Sequence, residues 1–265
     1  MPASTSNGTD FTRAIVRTPA PTFAQGLTHA DLGAPDVAKA LDQHARYCAA
    51  LEACGLALTR LSPEAEFPDS TFVEDTAIVT PQFAVLTRPG AASRLGEVAR
   101  VETTVRERFA RVHAIAAPGT LDGGDICQAG THFFIGLSGR TNEHGARQLA
   151  DIVQREGYTA SLVDIRGVRG ILHLKSGISY FGDRRIALID ALAAHPAFDG
   201  FEVLRLDADE EYAANFLRIN ARVIVSAGFP RFESAVRALG YDTLALDMSE
   251  FRKMDGALSC LSLRY

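Results

Sequence analysis

Hydrophobic and polar residues along the chain follow a recurring order of strand-like and helix-like stretches. An apolar run at residues 76–79 is followed by a turn, a second run at 84–87, an amphipathic stretch over 93–109 and a third run at 112–115. Short apolar runs bounded by turn residues are typical of strands, and apolar residues at i, i+3 and i+4 spacing are typical of a helix. This stretch therefore predicts a strand-strand-helix-strand module.

The same order recurs three more times along the chain. The predicted elements are strands at 125–128, 133–136 and 161–163 with a helix from 141 or 142 to 157; strands at 172–175, 186–189 and 202–205 with a short helix; and strands at 215–219, 223–225 and 243–245 with a helix over 231–239. Units that recur every 40 to 50 residues or so indicate an array of supersecondary modules rather than two unrelated domains.

The two ends of the chain supply the parts of a fifth module. A strand at 258–263 provides its first strand, and a strand at 14–16 with a helix over 36–54 provides the remainder. Pairing between these ends would close a ring around a central channel. We therefore predict an α/β fold, a five-bladed propeller of repeated strand-strand-helix-strand modules. It forms one domain over residues 1–265, with residues 1–10 as a disordered tail.

Composition and charge exclude several classes of protein. The formal net charge is −5 and the basic residues form no run, which argues against a nucleic-acid partner. No apolar run is long enough to span a bilayer, and we find no secretory signal in the sequence. The four cysteines have no paired spacing, which argues against a disulfide framework. We expect a cytoplasmic protein without a membrane partner. His44 and Cys48 lie one helical turn apart, but without a second pair of ligands we expect no metal there.

Polar residues at the ends of the first strands converge on the predicted channel. They include Cys260, His173 and the carboxylates of Glu74, Asp75 and Asp122. A histidine beside a cysteine raises the thiolate fraction, and a carboxylate beside the histidine sets its tautomer. Each residue alone also has a structural interpretation, as a packed thiol, a core histidine or a turn carboxylate. Their coincidence at equivalent places in the repeats favours a catalytic site.

The acidic excess at these positions indicates the charge of the ligand. Asp69, Glu74, Asp75, Asp122 and Asp125 together would suit a planar cation with several donors, such as a guanidinium. Arg94 and Arg140 precede two module helices, where they could hold a carboxylate at the other end of the ligand. Both arginines are equally readable as solvated residues at helix starts.

At this point the sequence resembles the guanidino-group-modifying enzymes of pentein fold, and among them the dimethylarginine dimethylaminohydrolases. The resemblance covers nearly the whole chain and rests on spaced matches at residues 17–19, 26–28, 67–70, 72–75, 121–125, 136–142, 172–176, 213–215, 255–256 and 259–262. It implies the same five-bladed fold and a hydrolase that converts methylated arginine to citrulline and an amine through a covalent cysteine intermediate.

The resemblance also implies a role for each site residue. Cys260 matches the nucleophile, His173 the general acid and base, and Asp122 the carboxylate that orients His173. The other matches are the guanidinium-binding carboxylates Asp75, Glu74 and Asp69, the α-carboxylate clamps Arg94 and Arg140, a lid-loop residue, Leu27, and a contact near the nucleophile, Met254. Some relatives carry Glu in place of Asp122, so the shorter side chain must reach His173 directly or act through water.

The implied reaction needs a small-molecule substrate and no metal or organic cofactor, with a homodimer as the candidate assembly. Two other functions stay open at this point. An arginine or agmatine deiminase uses the same thiol chemistry but releases ammonia, and such enzymes usually place an acid where Lys175 stands. A non-catalytic binding module of the same fold is the second alternative, which the joint presence of Cys260 and His173 disfavours.

Overall fold

The computed structural model describes residues 8–265 and arranges them as five three-stranded sheets. Within each sheet one strand lies in the middle, antiparallel to the first strand of its module and parallel to the third. A parallel pair needs a crossover connection, which explains why a helix or helical turns separate the second and third strands. The predicted α/β fold of five repeated modules is confirmed.

The fifteen strands within the described residues are β1 (Arg13–Arg17), β2 (Ala57–Leu61), β3 (Ala77–Val79), β4 (Ala84–Leu86), β5 (Val112–Ala114), β6 (Ile126–Ala129), β7 (His132–Leu137), β8 (Thr159–Asp164), β9 (Ile178–Gly182), β10 (Arg185–Leu188), β11 (Glu202–Arg205), β12 (Leu217–Ile219), β13 (Arg222–Ser226), β14 (Asp242–Leu246) and β15 (Leu263–Arg264). The α-helices are α1 (Val37–Ala53), α2 (Ala99–Arg108), α3 (Glu143–Arg155), α4 (Pro230–Ala238) and α5 (Ser249–Arg252). No helix within residues 8–265 combines the length and the hydropathy that a membrane crossing requires.

The two ends of the described chain meet in one sheet, whose strand order is β15-β1-β2. Ile15 pairs with Leu263 in the antiparallel half, and the same residue pairs with Thr59 in the parallel half. Because β15 is hydrogen-bonded to β1, the C-terminal segment is held in place next to the site described below. The predicted closure by the two ends is confirmed.

Apolar residues fill the space between each sheet and the helix or helical turns of its module. In α3, Leu149 and Val153 are fully buried and pack with Phe133 and Ile135 of β7. Each such side chain contributes about 1.5–3 kcal/mol by leaving water. Asn142 caps the N-terminus of α3, and its side-chain Oδ1 accepts a hydrogen bond from Gly145 N at 2.9 Å. Packing and capping together therefore fix α3 against its sheet.

Two predicted strands are turns in the structure. Residues 172–175 precede the true first strand, β9, and the chain around Cys260 forms a 3-10 turn, Ser259–Leu261, before β15. Residues in these turns are buried as deeply as strand residues, so the apolar pattern alone could not distinguish the two. Both corrections move a catalytic candidate from a strand to the turn before it.

The predicted helices differ from the structure in two modules. The stretch over 93–109 begins as a 3-10 turn, Ala92–Glu97, and becomes the α-helix α2 only afterwards. The third module has 3-10 turns, Asp190–Leu192 and Pro196–Phe198, in place of the predicted short helix. A proline blocks the continuation of a helix through its position, which explains the break before Pro196.

The predicted disordered tail over residues 1–10 lies mostly outside the described residues. Of the part that is described, Thr9 is buried, and its carbonyl accepts a hydrogen bond from Asn220 N at 2.9 Å. The prediction is therefore wrong for the end of this segment, because a backbone hydrogen bond and burial fix it against the turn between β12 and β13.

Candidate active site

A short helical turn precedes the first strand of each module; these turns carry Glu74, Asp75 and Cys260, and Asp122 and His173 come immediately before two of them. The five turns are Val73–Thr76, Gly123–Asp125, Leu174–Ser176, Ala208–Ala214 and Ser259–Leu261. The turns contact one another in succession around the centre of the molecule. Side chains that are far apart in sequence are thereby brought into one cluster.

A small cleft lies at this cluster and encloses about 30 Å³. Its lining contains eight of the ten predicted site residues: Leu27, Asp69, Asp75, Arg94, Arg140, His173, Met254 and Cys260. Phe72, Leu172, Asp255 and Gly256 complete the wall. The enclosed part of the cleft holds about two water molecules.

His173 and Asp122 are in direct contact. Nε2 of His173 lies 3.0 Å from Oδ2 of Asp122, and the carboxylate is fully buried behind the imidazole. The other carboxylate oxygen accepts a hydrogen bond from Gly90 N at 2.8 Å, which fixes its orientation. The aspartate therefore reaches the histidine without a bridging water, although its side chain is one methylene shorter than glutamate.

The charge state of His173 is set by three carboxylates. Burial alone would lower the pKa of the imidazole, but the negative charges of Asp75, Asp125 and Asp122 outweigh burial and raise the pKa to about 9. At neutral pH the histidine is therefore a cation. A protonated imidazole at this position can serve as a general acid.

Asp75 is held between a cation and a backbone amide. Its Oδ2 accepts a hydrogen bond from Arg94 at 2.6 Å, and its Oδ1 accepts one from Gly124 N at 2.8 Å. Burial would raise the pKa of this carboxyl, but the charges of His173 and Arg94 lower it to about 2. Asp75 is thus ionised at the wall of the cleft, where a ligand cation would meet it.

Arg94 is buried, and most of its N–H groups already donate hydrogen bonds to other residues of the protein. Besides Asp75 it contacts the carboxylate of Glu97, through Nε at 3.0 Å and through a terminal nitrogen at 2.8 Å. It also donates to the carbonyl oxygens of Asp69 and Phe72. Few of its five N–H groups are left to donate to a ligand. The contacts of Arg94 therefore give little support to the predicted role as a carboxylate clamp.

Arg140 is the more available of the two arginines. Its side chain is 13% exposed, and its guanidinium lies 4.0 Å from the carboxylate of Asp122, the one ion pair it makes within residues 8–265. The loop that carries it is fixed by Ser138, whose Oγ accepts hydrogen bonds from the backbone N–H groups of Arg140 and Thr141. The geometry leaves its N–H groups free to meet an anionic group in the cleft.

Cys260 lines the cleft from the last of the five turns and is partly buried. Burial raises the pKa of its thiol, and the charges of Glu74 and Asp75 raise it further, to about 12. Without a ligand, the thiol is therefore neutral near neutral pH. A cation bound beside Asp75 would oppose both carboxylates and favour the thiolate.

Glu74 does not line this cleft. Its carboxylate accepts a hydrogen bond from Ser259 Oγ at 2.7 Å and contacts Lys175 Nζ at 2.5 Å and Arg264 at 3.1 Å. These contacts face a second cavity of about 130 Å³, which is lined largely by the first strands of the modules. The contacts of Glu74 therefore do not reflect the predicted role in holding a guanidinium. Its charge affects the site by raising the pKa of the Cys260 thiol.

Asp69 holds the loop that carries Leu27. Both oxygens of Asp69 accept from Leu27 N, at 3.1 and 3.2 Å. Further along the loop, Thr28 Oγ1 donates to Lys253 O at 2.8 Å and His29 N donates to Asp255 at 2.6 Å. The loop is therefore attached to the opposite wall of the cleft, the segment next to Met254.

Asp125, which the sequence placed among the carboxylates for a ligand cation, accepts its hydrogen bonds from within the protein. It is fully buried and accepts hydrogen bonds from Ser138 Oγ and Thr141 Oγ1, both at 2.6 Å, and from Leu174 N at 3.0 Å. It therefore joins the loop of Arg140 to the turn that follows His173. The sequence signal was its place at the end of a Gly-Gly-Asp turn.

One group of residues could in principle hold a metal ion. Asp75, Asp122 and His173 each offer a ligand atom, and these atoms lie within 4.8 Å of one another, the one such group within the described part of the chain. The carboxylates already share the positive charges of Arg94 and of protonated His173. This internal charge balance is consistent with the expectation that no metal takes part, which stays a prediction.

Curated relatives match the chain over nearly its full length. The N(G),N(G)-dimethylarginine dimethylaminohydrolase of Pseudomonas aeruginosa is 44% identical over 256 residues, which are 96% of this chain and 100% of the relative. The chain belongs to the dimethylarginine dimethylaminohydrolase family. The enzyme of the same name from Streptomyces coelicolor is 35% identical over 95% of this chain and 96% of its own length. No protein-family model matches the chain.

Solved structures of dimethylarginine dimethylaminohydrolases also match the fold. A cysteine-to-serine mutant of the Pseudomonas aeruginosa enzyme, complexed with citrulline, superposes with a TM-score of 0.93 at 43% identity and covers 96% of this chain and 99% of that chain. The N-terminal domain of ArgZ, at 17% identity and a TM-score of 0.82 over 95% of this chain and 97% of that chain, shares the fold.

Proposed function

We propose that this protein hydrolyses methylated arginine to citrulline and methylamine or dimethylamine, through a covalent intermediate on Cys260. The observation that carries the proposal is the direct contact of His173 with Asp122 at 3.0 Å in a cleft that Cys260 also lines. Membership of the dimethylarginine dimethylaminohydrolase family supports the same reaction, since a structure of the Pseudomonas aeruginosa relative contains citrulline.

In the first step the substrate guanidinium binds beside the carboxylate of Asp75. The cation opposes the negative charges that raise the pKa of the Cys260 thiol, so the thiol loses its proton to solvent. The thiolate then attacks the central guanidinium carbon to form a tetrahedral adduct.

In the second step His173 donates its proton to the methylated nitrogen as the carbon–nitrogen bond breaks. The amine leaves, and a thiouronium remains on Cys260. The now neutral imidazole takes a proton from a water molecule that attacks the same carbon. Cleavage of the carbon–sulfur bond regenerates the thiolate, and the hydroxyl proton of the adduct passes to solvent as the ureido product is released. Asp122 holds the imidazole in the orientation that both transfers require.

A panel assay for ureido product tests this function and separates it from its alternatives. We expect turnover with asymmetric dimethylarginine and monomethylarginine, and little with arginine or agmatine. Preferred turnover of arginine or agmatine with release of ammonia would instead identify a deiminase. The absence of ureido product from all four compounds would indicate a non-catalytic binding protein and contradict the proposal.

Arg140 is the proposed clamp for the substrate α-carboxylate. Arg140→Ala should raise KM for methylated arginines about tenfold, because one charge-assisted contact is lost, with a small effect on kcat. Agmatine lacks the carboxylate and serves as the comparison compound, through its inhibition constant against the methylated substrate. The matched control is Arg147→Ala, since that side chain is 71% exposed on α3. An equal effect of Arg140→Ala on agmatine would remove the clamp role.

The predictions of a homodimer, of a cytoplasmic location and of no nucleic-acid partner complete the proposal. The hydrolysis of a small, soluble amino acid requires no extended basic surface of the kind that binds nucleic acids. Sedimentation equilibrium of the purified protein tests the assembly, and a mass equal to that of one chain would contradict the homodimer.

A further inference from the structure

One type of contact recurs between successive turns around the site. Oδ1 of Asp75 accepts a hydrogen bond from Gly124 N at 2.8 Å, and Oδ1 of Asp125 accepts one from Leu174 N at 3.0 Å. The third instance joins Oδ1 of Asn215 to Ser259 N at 2.9 Å. In each case a buried side chain at the end of one turn binds a backbone amide in the turn of the next module.

The third instance differs from the other two in its chemistry. Asp75 and Asp125 are carboxylates, and both act on the cationic His173. The side chain of Asn215 is a neutral amide, and it accepts its hydrogen bond from the backbone N–H of Ser259, the residue before Cys260. The repeated contact is thus negatively charged where it faces the proposed acid and neutral where it holds the proposed nucleophile.

The amide nitrogen of Asn215 adds two contacts that a carboxylate could not make. Nδ2 donates to Ser259 Oγ at 2.9 Å and to Lys175 O at 3.0 Å. Because Ser259 N can only donate and Lys175 O can only accept, these partners fix which end of the amide is oxygen. One side chain therefore ties the turn of Cys260 to the turn that follows His173.

The hydroxyl of Ser259 extends this network to an acid. Ser259 Oγ donates to Glu74 at 2.7 Å, and the charge of Glu74 already acts on Cys260. A carboxylate in place of the Asn215 amide would therefore place the hydroxyl of Ser259 between two negative groups, the new carboxylate and Glu74. It would also leave the partly buried carbonyl of Lys175 without its side-chain donor, which costs stability.

We propose that Asn215 is a positioning residue for Cys260, and that the reaction requires a neutral amide at this place in the ring of contacts. The inference rests on the proposed function, because it assigns the turn at Ser259–Leu261 to a nucleophile. Asn215 acts through the backbone and hydroxyl of Ser259 and through Lys175.

The substitution Asn215→Asp tests the requirement for a neutral side chain. Aspartate keeps the acceptor for Ser259 N, loses both donors and adds a negative charge next to the Cys260 turn. The matched control is Asn220→Asp. Asn220 also accepts one backbone N–H, from Phe11, and donates twice, to the carbonyls of Phe11 and Cys54, away from the cleft.

The first readout is alkylation of Cys260 by iodoacetamide at a fixed, mildly alkaline pH, followed by mass spectrometry of its peptide. Asn215→Asp should slow alkylation about tenfold, as a rise of about one unit in the thiol pKa would do. Asn220→Asp should alkylate at the wild-type rate. This readout needs no substrate, so it stands even if the panel assay shows that the proposed reaction does not occur.

The second readout is steady-state turnover of the preferred methylated arginine. Asn215→Asp should lower kcat at least about tenfold with KM changed less than about threefold, whereas Asn220→Asp should change neither. Alkylation and kcat of Asn215→Asp at the values of Asn220→Asp would overturn the inference. If Asn215→Asp does not fold, Asn215→Ala decides: a loss of kcat with KM retained supports the inference, and unchanged kcat overturns it.

Discussion

Two regions of the molecule each hold a buried histidine near a cysteine. In the cleft, His173 and Cys260 line the same small space. On α1, Nδ1 of His44 lies 3.7 Å from Sγ of Cys48, and Nε2 of His44 is one of the buried atoms without a hydrogen-bond partner among the described residues. Proximity of a thiol and an imidazole is therefore common to a candidate active site and to a packed helix face.

The two histidines differ in the charges that surround them. Burial lowers the pKa of His44 to about 4, and the positive charge of Arg60 acts in the same direction. Burial acts likewise on His173, but three carboxylates reverse it and raise the pKa to about 9. Acidic neighbours, and not the cysteine, are thus what turn a buried histidine into a proton donor at neutral pH.

The largest expected difference between the regions concerns the two thiols. Cys260→Ser should lower turnover of methylated arginine by at least about a thousandfold, because a serine hydroxyl at this site is a far weaker nucleophile than a thiolate. Cys48→Ser should stay within about twofold of wild type. Steady-state assays of both variants for ureido product check the comparison, and comparable losses in the two variants would contradict it.

Removing the Asp122 carboxylate should make the surroundings of His173 more like those of His44, which lack acidic neighbours that raise the pKa of the imidazole. Asp122→Asn keeps the size of the side chain but removes its charge and allows the wrong tautomer of the imidazole. We expect kcat to fall by about a hundredfold or more, with KM changed little. A variant with wild-type kcat would show that Asp75 and Asp125 are sufficient to hold the histidine.

The two histidines should also respond oppositely to pH in stability measurements. The raised pKa of His173 stabilises the fold fully below its unfolded value of 6.5, and this contribution is lost as pH rises through about 9. The lowered pKa of His44 leaves stability intact above 6.5 and destabilises the fold as pH falls toward about 4. Each effect is at most about 3 kcal/mol.

Denaturant unfolding of His173→Gln and His44→Gln across this pH range measures both effects. The stability advantage of wild type over His173→Gln should shrink between pH of about 6 and pH of about 10. His44→Gln should gain on wild type as the pH is lowered below about 6. Parallel pH trends in the two variants would mean that the carboxylates do not distinguish the two sites.

Much of the fold followed from local sequence patterns. The five modules and the pairing of the two chain ends were predictable because each strand and helix has its own apolar periodicity. The turns before the first strands were not, since buried residues such as Leu174 and Leu261 look like strand residues in the pattern. Their helical conformation depends on contacts between modules, which a single stretch of sequence does not contain.

The candidate site was predictable in its residue types but not in its partners. Cys260, His173 and Asp75 were identified from their places in the repeats, and the structure brings them to one cleft. The internal hydrogen bonds of Arg94 and the direction of Glu74 depend on side-chain packing between modules. Asn215 was assigned only to a predicted strand and to a family match, because its three hydrogen bonds reach residues about 40 or more positions away.

Mass spectrometry of the acid-quenched reaction with asymmetric dimethylarginine tests the covalent role of Cys260 most directly. Digestion of the quenched enzyme should yield a peptide that contains Cys260 and carries the added mass of the thiouronium. The peptide that contains Cys48 should remain unmodified in the same sample. Turnover to citrulline without any adduct on the Cys260 peptide, at quench times shorter than one turnover, would contradict the proposed mechanism.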